Sequence, residues 1–379
     1  MQRSTLLLAG TALLTSLLTA CSGGLLGSEK AAEGPIRIGM AVPLSGSSAP
    51  IGPNMKNGAQ LAVDEINAQG GLLGRELELD VEDEACDATS AVAAANKLVS
   101  AGAVISVGGY CSSATLPTLP VFDKADIPMI IPAANSEQLV QQKLRSVFLI
   151  NPTGAQQSEA AIQFIRKRQA RTVAVLDDNT SYSTDIAKRT TELAKQAGIT
   201  VTNTSVTPGE SDYGSTVTKV LSGNPDFVYW TGYFQEGGLL VDQFRRAGYA
   251  KDFMVADGSV DPSLASIAGG ADGVFATMTQ TPDTIEGAGD WIAKYRKAFN
   301  AEPGPYSTQS YDAVRVAAEA IKKAQTTDGK KVVEALEQLK DFPIFSGPLT
   351  FNDRHTLSQG GFQILVVKGG KFVLQDSLR

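Results

Sequence analysis

The chain has 379 residues, 43% of them hydrophobic and 19% charged, with a formal net charge of −7 and a single histidine. An acidic chain without a basic cluster excludes nucleic acid as a natural partner, and one histidine leaves little room for imidazole-based triads or zinc sites. The length exceeds what one ordinary core holds and suits two lobes.

Arg3 precedes an apolar run, Leu6 to Leu18, that is short for a membrane span and ends in small residues, as a cleaved export signal does. Leu18-Thr19-Ala20-Cys21 resembles a bacterial lipobox, in which the chain is cut before the cysteine and the thiol is acylated. An ordinary signal peptide with a coincidental cysteine is the plainer alternative. On the lipobox reading residues 1–20 are a signal peptide and Cys21 carries lipid. Residues 21–34, rich in Gly, Ala, Ser and Glu, are then a lipidated tether with a reach of roughly 20 Å. With Cys21 set aside, Cys86 and Cys111 are left. An even pair in an exported chain reads as a disulfide, two free buried thiols being the alternative.

Beyond the tether, strands and helices alternate. Ile36–Leu44 reads as a buried strand, Gly52–Gln69 as a helix stopped by Gly70-Gly71, and Glu76–Val81 as an alternating strand. A helix at Ala88–Ser100 and short strands at Val104–Val107, Pro128–Ile131 and Val147–Ile150 follow. A second series opens after Asn151-Pro152, with strands at Thr172–Leu176, Ile199–Val206, Phe227–Trp230 and Phe253–Ala256. Helices fit between them at Ser183–Ala197, Tyr213–Leu221 and Gly237–Ala247. Repeated βα units imply parallel sheets covered by helices on both faces, and two series imply two doubly wound lobes. The last part differs: helices at Trp291–Phe299, Gln309–Lys323 and Val332–Leu339, then short strands at Pro348–Phe351, Phe362–Val367 and Phe372–Leu374.

Catalytic signatures are lacking. His355 sits in a polar, turn-like stretch and reads as a surface residue; the sequence carries no nucleophile elbow, P-loop or zinc spacing. Asp177-Asp178 reads as a solvated strand end. The glycines of Gly70-Gly71-Leu72-Leu73-Gly74 form a turn. The chain is therefore expected to be no enzyme and to need no cofactor or metal.

Several segments together resemble the periplasmic amino-acid-binding proteins of the leucine/isoleucine/valine type. They are Pro43-Leu44-Ser45-Gly46 with the helix that follows Gly52, Asp83-Glu84-Ala85-Cys86-Asp87, Gly109-Tyr110-Cys111-Ser112-Ser113, Pro132-Ala133-Ala134-Asn135 and Tyr311-Asp312-Ala313. Their order matches from about Ile36 to the C-terminus. The resemblance implies an α/β fold of two Rossmann-like lobes joined by three crossing strands, with the ligand in the cleft between them. Lobe 1 is expected at 35–150 plus 282–340, and lobe 2 at 151–281 plus 341–379. The family's disulfide matches Cys86 and Cys111.

The resemblance also implies site residues. Ser112, with Ser113 beside it, and the turn Ala133, Ala134, Asn135 and Ser136 would bind an amino-acid carboxylate; Asn135 stands where the family has threonine. A carboxylate leaving water needs several aimed donors. Asp257, just past a strand end, would hold the α-ammonium, its alternative being a turn cap. The family more often has glutamate there. Tyr182, Tyr233 and Tyr306 match aromatic contacts, and Ile51 stands where the family often has tryptophan. The implied function is the solute-binding component of an ABC importer, capturing a small amino acid, branched-chain or otherwise apolar, by hinge closure. Its partners would be that ligand, a membrane permease with its ATPase and the lipid on Cys21. The protein would be a monomer, anchored in the periplasm or on the outer face of the cytoplasmic membrane. Alternatives are a binding protein for an amide, short peptide or aromatic acid, and a ligand-sensing module.

Overall fold

A computed structural model describes residues 34–378; the leader and Cys21 lie outside the described residues. The first sheet forms from β1 (Ile36–Val42), β2 (Leu77–Asp83), β3 (Ile105–Ser106), β4 (Met129–Ile131) and β5 (Val147–Leu149). All its neighbours run parallel, in the order β2-β1-β3-β4-β5. Its central strands are nearly continuous apolar runs because helices cover both faces. One face carries α2 (Ala88–Ser100), α3 (Ser112–Thr115) and α4 (Leu119–Lys124), packed over Leu98, Phe122 and Ile131. The other carries α1 (Ile51–Ala68). In the last strand gap lies α5 (Gln138–Gln141).

The second sheet begins after α6 (Gly154–Lys167), whose first turn is closed by a capping box between Thr153 and Gln156. β6 (Thr172–Asp177), α7 (Ser181–Gln196), β7 (Thr200–Ser205), α8 (Gly214–Ser222), β8 (Phe227–Trp230), α9 (Phe234–Arg246), β9 (Asp252–Val255), α10 (Pro262–Ile267) and β10 (Phe275–Met278) build a parallel array. The chain then returns to the first lobe through α11 (Gly289–Phe299), α12 (Ser307–Ala324) and α13 (Gly329–Glu337). There α12 packs on α1 so closely that a Cβ at Gly58 would lie 2.0 Å from the Ser307 carbonyl oxygen. After the hairpin β11 (Phe342–Ile344) and β12 (Gly347–Leu349), β13 (Gln363–Lys368) and β14 (Lys371–Asp376) add antiparallel strands to the second sheet. Its order is β14-β13-β10-β9-β8-β6-β7.

The chain thus passes between the sheets three times, near 150–153, 279–281 and 358–362. Residues of all three passages line one small cavity, and Gln363 donates to the Thr279 carbonyl. The expected placement of 341–357 with the second lobe is corrected. Phe351 packs edge-on against Phe148, the Leu149 N–H donates to the His355 carbonyl, and the Phe345 N–H donates to Asp312, so the hairpin belongs with the first sheet. An apolar run this short gives no sign in sequence of which sheet it will meet.

Two further expectations change. His355 is half-buried rather than free at the surface: its ring stacks 4.2 Å from Phe148 and its Nε2 lies 3.4 Å from Glu337. Asp177 and Asp178 are buried, not solvated, because they accept the N–H groups of Asn179 and Thr180 and so build the turn into α7. No described helix is long and apolar enough to cross a membrane.

Candidate functional site

The C-terminal ends of both parallel sheets face each other, which is where open α/β sheets place their ligands. The second lobe brings Asp257 there. β9 ends at Val255 and the chain turns through Asp257–Ser259, which sets the Asp257 carboxylate 2% exposed in the interface. It accepts from the Tyr182 hydroxyl at 2.5 Å, the Gln157 amide at 2.8 Å and the Tyr306 hydroxyl at 2.7 Å. The Tyr182 oxygen accepts in turn from the Gly258 N–H at 2.8 Å. Glycine at 258 leaves room for both rings, since a Cβ would stand 3.0 Å from the Tyr182 ring and 3.1 Å from that of Tyr233, tight enough that the rings would have to shift.

All three partners of Asp257 are neutral. Burial pushes its carboxyl above the usual range, and the donors from Tyr182, Tyr306 and Gln157 pull it back. A buried carboxylate ringed by neutral donors keeps its affinity for a cation that brings N–H groups of its own.

Tyr306 reaches Asp257 from the first-lobe side. It caps α12 in a left-handed conformation, φ +61, a strained geometry for a bulky residue. The tight α1–α12 contact at Gly58 and Ser307 holds it there. Tyr110 packs edge-on against Tyr306 with ring centres 5.6 Å apart and lies 6.0 Å from Tyr233, which is 5.1 Å from Tyr182. Four tyrosines from both lobes therefore surround the Asp257 turn.

The first lobe offers the opposite wall. Ser112, buried at the start of α3, accepts the Ser136 N–H on its hydroxyl oxygen at 3.3 Å, which leaves its own O–H to donate. Ser113 is half-buried beside it, and Ala133 and Ala134 are buried. Asn135 turns its amide toward the other lobe and donates to Gln157 Oε1 at 3.0 Å; its own Oδ1 has no partner among the described residues. The Ser136 hydroxyl donates across the interface to Asp185. Ile51 is buried at the first turn of α1.

Three residues of this region escape the sequence reading. Gln157 joins the lobes, bonded at once to Asn135, Asp257 and Thr277. Its signal was available: it falls on the buried stripe of α6 with Gly154, Ala161 and Ile165, where a polar residue is out of pattern. Tyr110 and Glu84 lay inside quoted motifs but were given no role there. Glu84, 1% exposed, has a carboxyl pushed up to about 8 by burial, against the N–H groups of Cys111 and Tyr110. Cys86 and Cys111 are joined by a disulfide beside it.

Comparison with known proteins follows the same outline. A family model described as periplasmic binding protein matches residues 35–371. The chain is 32% identical to the leucine-, isoleucine-, valine-, threonine- and alanine-binding protein of Pseudomonas aeruginosa, over 94% of this chain and 96% of that one. It is 33% identical to an amino acid binding protein of the same organism, over 86% and 88% of the two chains. Among solved structures it resembles the branched-chain amino acid transporter substrate-binding protein LivJ of Streptococcus pneumoniae in complex with isoleucine. That match has a TM-score of 0.82 and 27% identity and covers 90% of this chain and all of the other. A leucine-binding protein LivK of Thermotoga maritima has the same fold, with a TM-score of 0.84 at 23% identity over 90% and 97% of the two chains.

Proposed function

The chain belongs to the periplasmic binding protein family, and we propose that it captures a small α-amino acid between its lobes and delivers it to an ABC permease. The observation that carries this reading is the Asp257 carboxylate, buried at the lobe interface with three neutral partners. In this reading the ligand's ammonium binds Asp257, and its carboxylate binds the Ser112 hydroxyl, Ser113 and the turn from Ala133 to Ser136. Tyr182, Tyr233 and Tyr306 close over the ligand, and Ile51 bounds the space for its side chain. The sizes of the amino acids named for the relatives, alanine to leucine, set the expected size.

The lobes close as rigid bodies, and closure is the shape the permease reads. Lobe 1 comprises 35–150 and 282–340 together with the hairpin that follows, and lobe 2 comprises 151–281 and the last two strands. The protein acts as a monomer, without catalysis or cofactor, held by lipid on Cys21 near its permease. Incorporation of labelled fatty acid that disappears in Cys21→Ser supports the anchor, and label persisting in that variant overturns it.

The test of the binding role is a thermal-shift screen of the purified protein against the standard amino acids. A true ligand at a hundred times its Kd adds about 2.7 kcal/mol of stability. No shift with any α-amino acid overturns the reading.

A further inference from the structure

The first two turns of α7 serve the interface with two side chains. Tyr182 and Asp185 stand three residues apart, a spacing that puts both on one face of the helix. Tyr182 donates to Asp257 within its own lobe. Asp185, half-buried, reaches the other way and accepts the hydroxyl of Ser136 on the first lobe. There α7 packs against α3, whose first residue is Ser112.

Each polar group of Ser136 has a partner. Its hydroxyl proton goes to Asp185, and its hydroxyl oxygen accepts the Gln138 N–H at 3.2 Å. Its N–H donates to the Ser112 hydroxyl oxygen at 3.3 Å, and its carbonyl accepts the Leu139 N–H at 3.1 Å. Ser136 is fully buried, so these bonds fix both its side chain and its backbone. The side chain is tied to the opposite lobe, and the N–H is tied to Ser112. That N–H takes up an acceptor site of the Ser112 hydroxyl, which leaves the Ser112 proton to turn toward another group.

We infer that Asp185 is a positioning residue for the carboxylate subsite: from the second lobe it holds Ser136, and through the Ser136 N–H it sets the Ser112 hydroxyl toward the ligand. The inference rests on the amino-acid reading above and deepens it, because the donors that meet the carboxylate are then completed only when α7 arrives. Asp185 itself touches no ligand atom. The same helix face carries Tyr182 to Asp257, so one rigid element adjusts the places for both charged ends of an amino acid. Because the Asp185–Ser136 bond joins the lobes, its loss acts on release of the ligand rather than on its capture.

Stopped-flow fluorescence on the intact mature protein tests this, the probe being whichever standard α-amino acid binds tightest in the thermal-shift screen. Asp185→Ala should raise the dissociation rate roughly tenfold, the worth of one hydrogen bond to a charged group, and change the association rate less than about twofold. Asp185→Asn, whose amide oxygen still accepts the Ser136 proton, should recover most of that loss. Ser136→Ala should match Asp185→Ala, and the double variant should release no faster than either single one. Melting curves of the ligand-free variants show that they fold, and Ser136→Ala carries the test alone if Asp185→Ala does not. Dissociation as slow as wild type in the alanine variants overturns the inference. So does a loss that appears in the association rate, or two alanine effects that simply multiply in the double variant. Failure of every α-amino acid to bind is a different result: it overturns the reading beneath, and the inference with it.

Discussion

The Tyr306 hydroxyl donates to Asp257 Oδ2 at 2.7 Å, across 49 residues of chain and from one lobe to the other. The tyrosine gets there through a left-handed backbone at the start of α12, and the carboxylate through a tight turn at the end of β9. Each is placed by its own lobe, so the bond exists only when the lobes are together.

Removing the carboxylate should therefore abolish capture. Asp257→Ala is expected to weaken amino-acid binding by about 3–5 kcal/mol, because the ligand's ammonium would be buried without its counter-charge. Titration calorimetry measures this directly, and an affinity equal to wild type takes Asp257 out of the site.

Gln157 is expected to matter almost as much. Gln157→Leu keeps the bulk of the side chain but strips hydrogen bonds from Asn135, Asp257 and Thr277. Leaving such groups unpaired costs about 1–3 kcal/mol each when they stay buried. The variant should lose both thermal stability and affinity, and one that melts and binds like wild type shows that water replaces the amide freely.

The disulfide has its own signature. Cys86 and Cys111 are 25 residues apart. Closing a loop of that length stabilises by about 3.5 kcal/mol in the chain-entropy model. The Cys86→Ser, Cys111→Ser double variant should melt several degrees lower without reductant, and reductant should move wild type toward it. Identical melting curves would contradict a stabilising bridge.

The acidity of Glu84 gives a pH test. Its carboxyl is raised to about 8 in the folded chain, from an ordinary value near 4.5. Between those values the native state holds a proton that the unfolded state has lost, so stability should be greatest near pH 5 and decline toward pH 8. Asp312, raised to about 6, acts in the same direction over the lower part of the range. Carboxyls held low, such as Glu65, Asp83 and Glu337, are ionised in both states there and add no slope. Melting temperatures of Glu84→Gln should lose part of this decline, worth a few kcal/mol in total. Equal slopes in the two proteins would show that Glu84 ionises freely.

Much of the fold is legible in the sequence, and particular residues show why. The helix Ala88–Ser100 begins and ends where its periodicity says, because Asp87 caps it on the Ser90 N–H. β8 keeps its expected limits, Phe227–Trp230, because a strand buried on both faces is apolar throughout. By contrast, α6 and β10 pass unread: α6 is diluted by Gln, Ser and Glu, and Phe275–Met278 is too short to stand out. In the site, Asp257, Tyr182 and Tyr306 were named through family resemblance, and the structure has both tyrosine hydroxyls donating to the Asp257 carboxylate. Gln157 was not named, and Glu84 was quoted in a motif without a role in the site. Each takes its meaning from partners far along the chain; a polar residue on the buried stripe of α6 marks Gln157 as unusual, but does not say what it meets.

The three passages of chain that line one cavity have a mechanical consequence. Two bodies on a single ribbon can swing, twist and slide. Three ribbons set side by side resist torsion and shear and leave one soft rotation. The proposed loaded and empty states then differ along that one rotation, so that a receptor on the membrane would read the difference as shape, without touching the cargo.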